Sequence, residues 1–481
     1  MANQYNYNNY ESYHRRKKRK RGSVWVWIQL LLSIAVVAVV YLIDLFPMEY
    51  LIIGGAVLLL FFLLTLGLCN AYRSRSGGRA LAVIISLLLG VALGYLIKTY
   101  SVLDRISGAD TRTDEMSVLV LYDDPAQSIS DTAYYIYGTA SVDQNNSEQL
   151  MEAISKELGE RPAATSFSSY AEAISALMNG DVGAITFNEA YRQILKEMYP
   201  DFNEQTRVIY STTIKTKVNV SKGSRKVTRE PFIVYISGID VYGDISQTSR
   251  SDVNILASVN PMTHKVQLIS TPRDSYVELP TFGDYDKLTH AGLYGTDESI
   301  RALEELYDVK VDYYVRVNFT GFEEIVDALG GITVYSEEGF TAWDGTWFDE
   351  GENELDGARA LSFARERKAF SDGDFQRGRN QMKVIKAIAE KAMSPAILPN
   401  YGSVMDAAAG SMETSMSRSE IGDLVKMQMS SDRDWTIESY VVTGYVDSRM
   451  TYSYGAAPLS VVIPDESSIA EARLLLQENQ N

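Results

Sequence analysis

Apolar positions along this chain follow two different regimes. Near the N-terminus they form three nearly unbroken runs. Residues 24–43 are interrupted only by Gln29 and Ser33, and residues 50–68 and 80–97 contain no charge. Wound as helices, each run is long enough to cross about 30 Å of hydrocarbon. No small-residue cleavage site follows the first run, and two more runs do follow it, which argues against a removable leader. Trp25, Trp27, Tyr41, Tyr50 and Tyr95 lie near the run ends, where interfacial aromatics collect. Beyond residue 100 the runs shorten and become periodic. Residues 101–115 read as a polar linker. Then come a strand at 116–122, helices at 147–158 and 169–178, a strand at 182–187, a helix at 188–198 and an alternating strand at 206–220. This pattern predicts a small α/β domain over 116–220. The stretch 221–226, rich in Lys, Gly and Ser, reads as a flexible joint.

A second α/β domain is expected over 231–481. Strands are predicted at 232–236, 253–259, 265–270, 311–317 and 436–442. Helices are predicted at 297–307, 357–364, 377–393 and 419–429. One more runs through Phe322, Ile325, Val326 and Leu329 and is ended by Gly330-Gly331. No internal repeat or long low-complexity tract is evident.

Charge gives these elements a direction. The chain has 45 basic and 62 acidic residues, a net charge of -17. Residues 1–23 carry +6 and the part from residue 101 onward -25 by subtraction. The connector at 72–79 holds three arginines, whereas the one at 47–49 holds no basic residue. By the positive-inside rule the N-terminal tail and the second connector are cytoplasmic, so residue 101 onward is outside. An exterior this acidic repels nucleic acid, which leaves the basic tail as a topology signal. The single cysteine, Cys69, lies at the end of an apolar run. Exterior disulfides, zinc–thiolate sites and cysteine catalysis are thereby excluded, and an exported domain with no disulfide suggests a bacterium without oxidative folding at that surface.

Candidate chemistry gathers in three clusters of the second domain. In the first, Asp240 ends a strand and Arg250 and Asp252 open the next. Two carboxylates at one sheet end, together with substrate phosphates, are a common Mg²⁺ arrangement, and solvated turn aspartates are the alternative. On that reading, removing one acid relieves like-charge repulsion and raises stability slightly. In the second, Ser270-Thr271-Pro272-Arg273-Asp274 follows a core strand, and Arg273 projects into the crevice where open α/β sheets bind ligands. A surface ion pair with Asp274 is the alternative. The third contains Arg365, Glu366 and Arg367, then Asp374, Arg377, Arg379 and Gln381. Asp374 is a plausible helix N-cap, and Arg377 and Gln381 share one helix face. So many arginines in an acidic domain point to phosphate, with internal ion pairs as the rival. No G-x-x-x-x-G-K-[ST] loop exists, and His264 and His290, the only exterior histidines, accompany no G-x-S-x-G elbow.

These clusters resemble the LytR-CpsA-Psr family, most of all its streptococcal capsule branch. The carrying segments are SGIDVYGDISQTSRSDVNILASVNP, STPRDSYVELP, DKLTHAGLYG, YYVRVNFTGFEEIVDALGGI, GENELDGARALSFARER and DGDFQRGRNQMKVI. Three spans followed by a small domain also resemble that branch. The resemblance implies an α/β fold with a central mixed sheet and an apolar tunnel for a lipid chain. It implies transfer of a glycan, capsular polysaccharide in that branch, from a polyisoprenyl (undecaprenyl) pyrophosphate carrier to peptidoglycan, alongside other capsule-assembly proteins. It implies Mg²⁺, or Mn²⁺ in its place, held by Asp240 and Asp252. On matching positions Arg250, Arg273, Arg365, Arg367 and Arg377 would grip the pyrophosphate with Gln381. Asp374 would be the base, and Lys287 would sit at the pocket rim. Thr289 and Gly295-Thr296 depart from the asparagine and double glycine common there, and Phe375-Gln376 stands where charged residues are common. Two rivals remain: a non-catalytic lipid-phosphate-binding regulator of capsule assembly, and the transcription attenuator of the family's older label. The short basic tail cannot build a DNA-binding fold, so the attenuator ranks last.

Overall fold

The computed structural model describes residues 23–71, 74–109, 111–217, 225–239, 245–392, 394, 400–431, 433–455 and 457–480. The chain divides into two compact units, 1–101 with 421–432, and 102–420 with 433–481.

In the first unit the apolar runs form helices α1 (Val24–Ile43), α2 (Met48–Asn70) and α3 (Arg75–Ile106), each long and apolar enough to cross a membrane. The two polar residues of α1 explain how it packs. Gln29 and Ser33 are buried, and the Thr65 hydroxyl on α2 donates to Gln29 Oε1 at 2.9 Å. In hydrocarbon a polar side chain finds its partner on a neighbouring helix. Cys69 is buried beside Val26, Phe62 and Ala82.

The segment 101–115 is not a linker. Helix α3 continues through Ile106 and strand β1 (Thr111–Leu121) begins five residues later. The polarity that suggested a linker belongs to a paired strand. Its Asp114 is fully buried against Arg112 at 2.9 Å. Strand β1 sits between β4 (Ala184–Asn188) and β5 (Thr206–Lys217), antiparallel to both. Strands β2 (Tyr137–Ala140) and β3 (Ala164–Phe167), too short for a periodic signal, complete the sheet in the order β3-β2-β4-β1-β5. Helices α4 (Gln144–Leu158) and α5 (Tyr170–Asn179) match the helical spacing. The helix expected over 188–198 is shorter, because Asn188 ends β4 and helix begins only at Arg192. The core of this small domain includes Leu293 and Tyr454 from the later part of the chain.

The larger domain is built on a six-stranded mixed sheet. Its strands are β6 (Phe232–Ile239), β7 (Ser251–Asn260), β8 (Lys265–Ser270), β9 (Tyr313–Asn318), β10 (Met412–Thr414) and β11 (Thr436–Val441), in the order β10-β9-β6-β7-β8-β11. Strands β6, β7 and β8 are successively antiparallel, and β9 and β11 join parallel to β6 and β8. Helix α6 (Thr296–Tyr307) and the C-terminal α10 (Glu466–Glu478) contribute Leu303, Tyr307, Ala472 and Leu476 to one core with Tyr235, Leu256 and Ile269. A second core lies among α7 (Phe319–Ala328), α8 (Gly357–Arg365), α9 (Asp374–Ala392) and the small hairpins at 332–355. The left-handed backbone at Gly330 and Gly331 ends α7, as the sequence suggests.

Two glycines bring the arginine-bearing helices close to their supports. A Cβ on Gly357 would lie 2.3 Å from the Glu323 carbonyl oxygen. One on Gly378 would lie 3.0 Å from Ser270 Oγ at the end of β8. That close approach delivers the first turn of α9 to the strand ends.

Candidate active site

The strand ends of β7 and β8 and the facing ends of α8 and α9 converge on one cleft of about 290 Å³, lined by Asp252, Arg273, Trp343, Arg365, Glu366, Arg367, Lys368 and Arg377. Residues 100 or more apart in sequence meet there because β7 and β8 are neighbours and α9 packs across them.

Asp252 is its buried hub. Arg273 Nη1 donates to both carboxylate oxygens, at 3.0 and 2.9 Å. Arg377 Nη2 donates to Oδ2 at 3.2 Å, and the Thr289 hydroxyl donates to Oδ1 at 3.3 Å. Burial alone would push the Asp252 carboxyl up. Arg273, Arg377 and Arg250 outweigh burial and hold it well below the usual carboxylate range. The partner of Arg273 is therefore Asp252; Asp274 lies at 3.9 Å. Asp274 instead meets Lys287 Nζ at 3.1 Å, so Lys287 is a counter-ion next to the cleft rather than part of its lining.

The other arginines differ in kind. Arg250 donates to Gln193 of the small domain at 2.5 Å, and does not line the cleft. Arg365 lies against aromatic rings, its guanidinium carbon 4.4 Å from the Phe319 centroid and 5.3 Å from that of Trp343. Among the described residues no carboxylate lies within ion-pair distance of Arg365 or Arg367. Arg379, outside the cleft, pairs with Asp372.

Asp374 is the first residue of α9 rather than its cap. Burial pushes its carboxyl up, Arg377 draws it back, and Asp274 adds to the rise. Its Oδ1 lies 3.7 Å from Arg377 Nη1 and has no hydrogen-bond partner among the described residues. Arg273 Nε and Arg377 Nε are likewise buried without an acceptor. Buried donors without a hydrogen-bond acceptor on two arginines facing one cleft suit an anion such as phosphate. Gln381, one turn beyond Arg377, is buried, and neither it nor Asp374 is part of the cleft lining. Asp240 lies outside the described residues.

Three residues have roles in the site that the sequence pattern did not give them. Thr289, which departs from the family motif, supplies the hydroxyl bond to Asp252. Glu366, buried and lying between Arg365 and Arg367 in the chain, accepts the backbone N–H groups of Trp343 and Ala369 and ties the hairpin at 340–348 to the arginine loop. Trp343 lines the cleft from that hairpin. An aromatic in a short turn carries no periodic signal, so only its tertiary position marks it.

The "LytR_cpsA_psr family" model matches residues 197–462. A second model, "DNA polymerase processivity factor", matches residues 78–187, a stretch that starts inside α3. A polyisoprenyl-teichoic acid–peptidoglycan teichoic acid transferase, TagU, of Bacillus cereus is 32% identical over 48% of this chain and 75% of its own. The protein of that name from Enterococcus faecalis is 31% identical over 53% of this chain and 84% of its own. The crystal structure of B. subtilis TagU is 30% identical, covers 53% of this chain and 98% of that one, and superposes with a TM-score of 0.41.

Proposed function

Because the chain belongs to the LytR-CpsA-Psr family, we propose that it is a membrane-anchored phosphotransferase moving a glycan from a polyisoprenyl pyrophosphate carrier to peptidoglycan. The supporting observation is the cleft itself: four guanidiniums, two with orphaned buried N–H groups, in a strongly acidic exterior. Phosphoryl transfer needs positioning and charge stabilisation above all. The acceptor hydroxyl attacks the glycan-linked phosphorus, and its proton passes to the Asp374 carboxylate. The bond from that phosphorus to the bridging oxygen breaks, and polyprenyl monophosphate leaves. Arg365 and Arg367 take the charge that develops on the leaving phosphate, and Arg273 and Arg377 orient the other. Gln381 and Arg250 hold the periphery. An apolar tunnel for the lipid chain belongs to the same proposal.

The glycan is proposed to be a capsular polysaccharide, since three spans and an accessory domain resemble the capsule branch. The relatives named above are teichoic acid transferases, so both glycans belong in the assay. Purified protein in detergent, given either lipid-linked glycan and peptidoglycan, is expected to release polyprenyl monophosphate. Binding without release would favour the non-catalytic regulator.

Mg²⁺ belongs to the same proposal, with one constraint. Both oxygens of Asp252 are engaged by guanidiniums, and two positive charges at that range repel a third. The ligand-free arrangement does not fit a divalent cation. Asp252 would join Asp240 around Mg²⁺ only once pyrophosphate has drawn the arginines off. Calorimetric titration with Mg²⁺ is therefore expected to give no Asp252-dependent heat without lipid pyrophosphate and a clear one with it. Equal heats in both states would refute this order.

The exterior is proposed to lie outside the cell, on the arginine asymmetry of the two connectors. With Cys69→Ser as background, Ser107→Cys is expected to react with an impermeant thiol reagent in intact cells, and Ser76→Cys only after lysis. The reverse pattern would invert the topology.

A further inference from the structure

We propose that Trp343 is the platform that recognises the first sugar of the donor, the one esterified to the bound pyrophosphate. This rests on the reading of the cleft as a pyrophosphate site and adds a specificity determinant to it. Trp343 is 61% exposed yet lines the arginine cleft. It is fixed at both ends. Its backbone N–H is held by the buried Glu366 carboxylate, and its ring is in contact with the Arg365 guanidinium. A guanidinium stacks on an aromatic through its face while its N–H groups stay available in its own plane. Arg365 can thus bind a phosphate and rest on Trp343 at the same time. The donor's first sugar is esterified to the neighbouring phosphate of the same pyrophosphate, the one held by Arg273 and Arg377, and so lies within reach of the indole that lines the same cleft. The apolar C–H face of a pyranose suits such a ring, and the indole N–H can donate to a sugar hydroxyl.

The two aromatics on Arg365 also set a direction. Phe319 is buried at 5% exposure and Trp343 is open. The inner ring marks the side that faces the core, where a lipid chain belongs. The outer ring marks the glycan side. Trp347, on the same hairpin and 55% exposed, does not line the cleft, and its indole N–H is already given to Asp349. It provides an internal control.

The test compares two ligands, a polyprenyl pyrophosphate bearing a disaccharide and the same lipid pyrophosphate without sugar. Affinities and single-turnover rates would be measured for the full chain and for Trp343→Ala, Trp343→Phe and Trp347→Ala. Trp343→Ala is expected to weaken the sugar-bearing ligand by about threefold to tenfold. The sugar-free ligand should bind it as it binds wild type. Trp343→Phe should restore most of the loss, and Trp347→Ala should change nothing. Equal weakening of both ligands would mean that Trp343 only positions Arg365 and would overturn the proposal, as would no effect on either. If wild type binds neither ligand, the pyrophosphate reading itself fails and this inference falls with it.

Discussion

Arg365→Lys is expected to lower turnover by about 10²–10³, the usual cost of losing one preorganised donor at a site of developing charge, while leaving the melting temperature of the ligand-free protein unchanged. Arg365 rests on Phe319 and Trp343 and has no carboxylate within ion-pair distance among the described residues. Replacing it therefore strands no buried charge. Lysine keeps the positive charge but not the two parallel donors that fit a phosphate. Lipid pyrophosphate should raise the melting temperature of wild type by binding linkage and raise that of the variant less. Arg377→Lys should behave differently. Arg377 also holds the buried Asp252, so its replacement should cost stability as well as rate. A variant at Arg365 that melts early yet turns over at a normal rate would show that the arginines serve structure instead of substrate.

Asp252→Ala is expected to destabilise the ligand-free exterior by about 3–5 kcal/mol, the range found when one member of a buried ion pair is removed. The sequence points the other way, because a second acid near Asp240 implies relief of repulsion. The structure reverses that sign: Arg273 and Arg377 both rely on Asp252. Deleting it would remove the nearest counter-ion of both guanidiniums, leaving Arg273 only Asp274 at 3.9 Å and Arg377 only Asp374 at 3.7 Å. Turnover should fall sharply with it. The pH dependence follows from the lowered carboxyl. In the unfolded chain Asp252 takes up a proton near its ordinary 3.8, and in the fold it resists protonation. Its contribution is complete at neutral pH and is lost as the pH falls below that value. Thermal melts from pH 7 to pH 3 should show a steeper acid loss in wild type than in Asp252→Ala. A variant as stable as wild type at pH 7 would refute the network.

Much of this molecule is written in local pattern. The three spans follow from run length alone, because a helix needs about 20 apolar residues to cross hydrocarbon. The strands read from the sequence at 232–236, 253–259 and 265–270, which the fold extends to 232–239 and 251–260 in the first two, and the glycine stop after α7 follow from periodicity and backbone freedom. The clustering of Arg273, Arg365, Arg367 and Arg377 follows from composition against an acidic background. What the sequence could not decide is which charge meets which. Asp252 and Arg377 are 125 residues apart, and they meet only because β7 pairs with β8 and Gly378 lets α9 sit against Ser270. Arg250 and Lys287 carry the right charge for the cleft, yet they stand at its periphery in the fold, where Arg250 meets Gln193 and Lys287 meets Asp274. Residues 101–115 look like a linker by composition, but a buried Arg112–Asp114 pair makes their polarity structural. Trp343 is silent in one dimension, since a lone aromatic in a turn has no period. Periodicity is a property of neighbours along the chain and therefore legible there. Ion pairing and the lining of a cleft depend on sheet order and helix packing, and only the folded chain fixes those.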